Sequence, residues 1–160
     1  MTINTIKENA LKRHIPIIMD DTLEKIKQIL IEAQPHTLLE IGSAIGYSAI
    51  CFSNYVDQID TIELDAERAK EAISNINNLH LHNKINLIIG DALEILPTLQ
   101  NKYDIIFIDA AKSKYPKFLE YSLQLLNANG IILADNVLFK GYVLSDYNKH
   151  KQRTAVRHLR

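Results

Sequence analysis

Acidic residues close five short apolar runs of this chain: Glu40 in TLLEIG (37–42), Glu63 in DQIDTIELD (57–65), Asp91 in INLIIGDA (85–92), Asp109 in YDIIFIDAA (103–111), and Asp135 with Asn136 in GIILADN (130–136). Carboxylates accept hydrogen bonds from ribose hydroxyls and attract amino groups. Combined with a carboxamide they supply the oxygen ligands of a hard cation. A single solvated acid means little, but acids at the ends of all five runs form a pattern. The first run leads into LLEIGSAIGYSAI, where Gly42 and Gly46 let the backbone turn sharply and approach a ligand.

The elements that must position these residues follow from periodicity. The five runs are nearly continuous in Ile and Leu, as in parallel strands covered on both faces. Segments of helical period separate them. DAERAKEAISNINNL (65–79) carries Ala69, Ala72, Ile73, Ile76 and Leu79 on one face, with Asp65 as N-cap. KYPKFLEYSLQLLNANG (114–130) reads as a helix with Pro116 near its start, closed by Asn129-Gly130. DDTLEKIKQILIEA (20–33) reads as an amphipathic helix ended by Pro35. This alternation predicts an open, doubly wound α/β sheet, whose ligands bind outside the carboxyl ends of the strands.

The turn narrows the ligand. It is not G-x-G-x-x-G, and the chain contains no G-x-x-x-x-G-K-[ST]. Glu40 beside it would repel a pyrophosphate and attract a cationic amino group. Glu63 follows Gly42 by about twenty residues, the interval at which an acid on the next strand reaches ribose hydroxyls. A nucleoside with an amino group and no phosphate describes S-adenosylmethionine.

Bulk properties set outer limits. With 160 residues, 47% hydrophobic and 23% charged, the chain fits one domain over 1–160. A net charge of −1 gives no global drive toward nucleic acid or anionic membrane. The lone cysteine, Cys51, reads as a buried thiol that cannot form an intramolecular disulfide. The N-terminus has no apolar run suited to a signal peptide or membrane span, so the expected location is cytoplasmic.

The ordered set LLEIGSAIGYSAI, TIELD, GDALEILP, FIDAAKSKY and LADNVLFKG, over about 38 to 141, resembles the class I S-adenosylmethionine-dependent methyltransferases. Within them it is most similar to the metal-dependent O-methyltransferases of the catechol and caffeoyl-CoA type. The resemblance implies a Rossmann-like sheet of order 3-2-1-4-5. It implies that Glu40 and the turn Gly42, Ser43 to Gly46 hold the methionine part, and that Tyr47 and Ser48 line the pocket. Glu63 would bind ribose, Asp91 and Ala92 flank adenine, and Ile18 contact cofactor by its backbone. Ser48 has an alternative reading as a helix cap.

Asp109, Asp135 and Asn136 would then hold Mg²⁺ or another divalent cation. Such an ion lowers the pKa of a substrate hydroxyl, and Lys112 matches the general base, or acts electrostatically. The spellings IGSAIGYSAI, FIDAAKSKY and DNVLFKG are most similar to the bacterial tRNA 5-hydroxyuridine methyltransferases, implying 5-methoxyuridine at the wobble position. A small catechol-like substrate is the alternative, and a non-catalytic cofactor-binding protein a third reading. Lys140 and the tail Lys149, Lys151, Arg153, Arg157 and Arg160 form a basic stripe that could contact phosphates or be a solvated helix face. The resemblance also implies a homodimer and an antiparallel strand pair after strand five. No such pair is read after strand five, so C-terminal truncation and an uncovered edge at strand five are expected.

Overall fold

The computed structural model describes residues 1–109, 112–134 and 155–158, with the backbone alone at 112 and 155–158. Six parallel strands form one sheet in the order β3-β2-β1-β4-β5-β6. They are β1 (Thr37–Ile41), β2 (Gln58–Glu63), β3 (Ile85–Ile89), β4 (Tyr103–Ile108), β5 (Leu126–Ala134) and β6 (Ala155–His158). The expected order 3-2-1-4-5 stands, with β6 added outside β5.

Alternate residues of the strands feed two cores. Leu38, Ile59, Ile85, Ile105 and Phe107 pack under α1 (Ile3–Lys12), α2 (Asp20–Ala33), α3 (Tyr47–Phe52) and α4 (Ala66–Asn78). Leu39, Ile41, Ile62, Ile106, Ile108 and Ile132 pack under α5 (Ala92–Ile95) and α6 (Tyr115–Gln124). Phe52 meets Phe107 edge to face at 5.5 Å. Each fully buried Leu, Ile or Phe contributes about 1.5–3 kcal/mol, so both helical layers are held firmly against the sheet.

Local signals explain most boundaries. Helix α2 spans 20–33 as predicted and closes through Gln34 in the left-handed region (φ 48°), just before Pro35. Asp65 caps α4 by accepting from Glu67 N and Arg68 N. Cys51 is buried. Helix α1, not expected from the sequence, is started by a capping box between Thr2 and Thr5 and held down by buried Ile6 and Ala10.

Two expectations are corrected. The helix predicted over 114–130 ends at Gln124, and β5 begins at Leu126. Leu125 closes the helix through its N–H to Ser122 O at 3.0 Å, while its carbonyl already accepts from Tyr103 N at 2.8 Å. Asn129-Gly130 is therefore not a helix stop but part of an irregularity in β5. Leu126 pairs with Tyr103 and Ile131 with Ile105, leaving the residues between them opposite a single position of β4. Asn129 takes φ 67°, and a Cβ on Gly130 would meet Leu126 at 2.6 Å.

The second correction concerns the edge. Strand β5 is not uncovered: Ile131 to Ala134 pair in parallel with Ala155 to His158. That part of the tail is a strand rather than a helix face, and it satisfies backbone groups that an edge would leave open. Among the described residues this single parallel strand lies beyond β5, not an antiparallel pair. Among them, too, no helix is long and apolar enough to cross a membrane.

Candidate functional site

The turn after β1 is held by both β2 and α4. Gly42 N and Ser43 N donate to Ile62 O at 2.8 and 3.2 Å, tying the turn to β2. Asn75 Nδ2, buried on α4, donates to Ile45 O at 2.8 Å. Gly42 (φ 99°), Ala44 (φ 48°) and Gly46 (φ 88°) all sit at positive φ, which turns the backbone out of β1 and into α3. A Cβ on Gly46 would lie 3.3 Å from Ala72 Cβ, so this glycine also sets the close approach of α4.

Glu63 completes the cradle. Its Oε1 accepts from Ala44 N at 2.6 Å and its Oε2 from Asp65 N at 3.0 Å. One half-buried carboxylate thus joins the turn to the start of α4, and each oxygen keeps acceptor capacity for a ligand.

Around this cradle lies a cleft of ≈ 280 Å³. Gly42, Glu63, Asp91, Ala92 and Asp109 line it, all named from sequence. A smaller recess shares Gly42 and Asp109 with it and adds Ile18, Ser43, Tyr47 and Ser48. The Ser43 hydroxyl is buried and has no hydrogen-bond partner among the described residues, an unusual state for a buried polar atom. Asp91 also caps α5 through Leu93 N at 2.9 Å, which fixes its carboxylate at the rim. Asp109 extends the β1–β4 ladder by its N–H to Ile41 O.

Glu40 and Gly46 line neither recess among the described residues. Glu40 is fully buried beneath the turn, accepting hydrogen bonds from Ser48 Oγ and Thr61 Oγ1. Burial pushes its carboxyl up to about 7. The two hydroxyls oppose that shift, and the charges of Asp109 and Glu63 reinforce it. Ser48 therefore braces Glu40, while the N-cap of α3 is Gly46. Burial also raises the Tyr47 and Cys51 pKa values.

Asp135 and Asn136 lie outside the described residues, as do the Lys112 side chain and the basic tail side chains. Lys112 opens the 3₁₀ turn Lys112–Lys114 that leads into α6. Ala134, just before Asp135, pairs with Ile108, just before Asp109. Among the described residues there is no group of three His, Cys, Asp or Glu suited to a metal.

The structure adds lining residues not expected from the sequence: Pro16, Leu64, Arg68, Gly90 and Phe118; it also places Lys114 in the wall. Leu64 is 62% exposed, although large and apolar. Its place directly after Glu63 was a usable signal. Arg68 and Phe118 come from the starts of helices whose approach only the tertiary structure reveals.

Comparison with known proteins agrees with this arrangement. A catechol O-methyltransferase from Niastella koreensis is 33% identical over 130 residues, covering 76% of this chain and 59% of that protein. One from Mycobacterium tuberculosis is 28% identical, covering 71% and 53%. This chain therefore spans little more than half the length of these relatives. A crystal structure from Staphylococcus aureus, provisionally assigned as a caffeoyl-CoA O-methyltransferase, superposes with a TM-score of 0.80 at 36% identity, covering 93% of this chain and 72% of that one. A Bacillus cereus O-methyltransferase in complex with SAH gives 0.64 at 25% identity, covering 91% and 80%. The O-methyltransferase family model matches residues 2–160, and with the superposed fold this shows that the chain belongs to that family.

Proposed function

We propose that the chain binds S-adenosylmethionine in the cleft at the carboxyl ends of β1, β2 and β4 and transfers its methyl group to a hydroxyl oxygen. The observation that carries this reading is Glu63. Its carboxylate is oriented by Ala44 N and Asp65 N and faces the same cleft as Asp91 and Asp109. Three carboxylates against Arg68 and Lys114 leave the wall suited to a cofactor of net positive charge. The Ser43 hydroxyl beside Gly42, without a partner among the described residues, offers a donor to its amino-acid tail. The SAH complex of the Bacillus cereus relative supports the same cofactor.

When bound, S-adenosylmethionine supplies a methyl group on a sulfonium; transfer breaks that S–C bond, forms an O–C bond and leaves S-adenosylhomocysteine. The chain's part is to hold the ribose through Glu63, to keep the tail against the Gly42–Gly46 turn, and to exclude water with the Pro16 to Ile18 segment. Asp109, with Asp135 and Asn136, would hold Mg²⁺ or a similar divalent cation, whose chemistry is to acidify the acceptor hydroxyl. Lys112 is the proposed proton acceptor or a compensating charge.

For the acceptor we favour 5-hydroxyuridine at the tRNA wobble position, on the spellings IGSAIGYSAI, FIDAAKSKY and DNVLFKG. Its hydroxyl and neighbouring ring carbonyl can chelate a cation as a catechol does. The catechol O-methyltransferase relatives favour a small catechol as the second reading. Labelled S-adenosylmethionine, with Mg²⁺ or chelator, offered to tRNA bearing 5-hydroxyuridine and to catechol, separates them. Metal-dependent label in tRNA is the expected result. Label in catechol alone would transfer the assignment, and a chain that fails to bind S-adenosylhomocysteine would overturn the cofactor reading.

A further inference from the structure

At the β2–β3 end of the cleft, beyond Glu63, the wall consists of Leu64, Arg68, Gly90, Asp91 and Ala92. Leu64 presents an apolar surface that folding alone leaves 62% exposed. Arg68 is exposed as well, and its backbone is fixed at the first turn of α4 by Asp65. The acids on α4 that could tether its guanidinium are engaged elsewhere. Glu67 pairs with Lys70 at 3.5 Å, and Glu71 forms a bidentate pair with Arg13 at 2.8 and 3.0 Å. Among the described residues Arg68 makes no ion pair, so a long planar cation is left at the cleft mouth beside an exposed apolar side chain.

We propose that Arg68 is a cofactor-positioning residue that lays its guanidinium over the adenine ring, with Leu64 and Ala92 supplying the apolar walls. The inference rests on the cofactor reading above. If Glu63 holds the ribose, the base extends toward this end, because the turn on the other side of Glu63 takes the amino-acid tail. A guanidinium stacks on an aromatic face better than an ammonium does, since it is planar and weakly hydrated. An exposed cation–π contact of this kind changes affinity by about two- to fivefold.

The test is calorimetric titration of the wild-type chain, Arg68→Ala and Arg68→Lys with S-adenosylhomocysteine and with adenosine, alongside melting of each ligand-free protein. The expected result is unchanged melting, with both ligands weakened about two- to fivefold in Arg68→Ala and less than half of the loss recovered in Arg68→Lys. Unchanged affinity for S-adenosylhomocysteine in Arg68→Ala would overturn the proposal. So would weakened S-adenosylhomocysteine with unchanged adenosine, which would put Arg68 against the amino-acid tail, or full recovery by lysine, which would reduce it to a charge. A wild-type chain that binds neither ligand would instead overturn the cofactor reading itself.

Discussion

At the amino ends of the strands, Asp104 accepts from His36 N at 2.8 Å, from Thr37 N at 3.4 Å and from Asn127 Nδ2 at 2.9 Å. Asp60 there accepts from Tyr103 Oη and Asn86 Nδ2. At the carboxyl ends, Asp91, Asp109, Arg68 and Lys114 face a cleft, and a buried Ser43 hydroxyl lacks a partner among the described residues. The acids at one end neutralise protein donors and lock the strands in register. At the other end Glu63 and Asp91 also accept from backbone N–H groups, yet their carboxylates line a cleft that a ligand can enter. Acidic residues near both ends look alike in composition; what separates them is whether the fold opens a cleft onto their carboxylates.

This contrast can be broken most strongly at Glu63. Replacing it with alanine removes the proposed ribose acceptor and leaves Ala44 N and Asp65 N unpaired. S-adenosylhomocysteine affinity should fall about 10- to 100-fold with a lowered melting temperature. Titration that shows wild-type affinity would remove Glu63 from the binding site.

Glu40 sharpens the contrast from beneath the cleft, because it is an acid whose partners are internal and which is fully buried. Burial lifts its carboxyl from an ordinary 4.5 to about 7 in the folded chain. Between those values the folded state holds a proton that the unfolded state releases. Its contribution to stability is therefore largest below pH 4.5 and declines as pH rises to 7. Urea unfolding of wild type and Glu40→Gln at pH 5 and pH 8 should show the wild type losing about 2 kcal/mol relative to the variant across that interval. A constant difference would mean that Glu40 titrates normally.

At the opposite end, Asp104→Ala should cost about 1–2 kcal/mol of unfolding free energy while leaving S-adenosylhomocysteine affinity unchanged. Burial raises the pKa of this carboxyl, but the His36, Asn127 and Thr37 donors outweigh it and hold the value below the ordinary range. A loss of ligand affinity in this variant would show the two ends to be coupled.

The smallest effect belongs to His36, whose Nδ1 lies 2.7 Å from Asp57 Oδ2 on an exposed surface. That hydrogen bond and the Asp57 charge raise the histidine pKa. Its stabilisation is present below pH 6.5 and disappears as pH rises through the raised value. Melting curves of wild type and His36→Gln should therefore differ slightly at pH 6 and converge at pH 8.5.

Much of this arrangement was legible because its causes are local. Continuous Ile and Leu runs ending in acids mark β1 to β4, and the period of 20–33 marks α2 along its whole length. Helix α1 is not legible although Thr2, Ile6 and Ala10 carry its cap and its buried face, because charges are scattered through the same stretch. The start of β5 is not legible because LNANG contains ordinary helix-ending residues. It becomes strand only because Tyr103 N is there to bond Leu125 O.

The sequence by itself determined the alternation of strands and helices, the glycine turn, and the identity of Gly42, Glu63, Asp91 and Asp109 as cleft residues, since strand ends in a parallel sheet converge on one rim. Only the tertiary structure decided that Glu40 lies under the turn instead of lining the cleft, that β6 covers the edge of β5, and that Leu64 and Arg68 build a wall beside Glu63. Those outcomes depend on which donors, strands and helices come within a few ångströms of residues distant in sequence. Periodicity carries no information about such encounters.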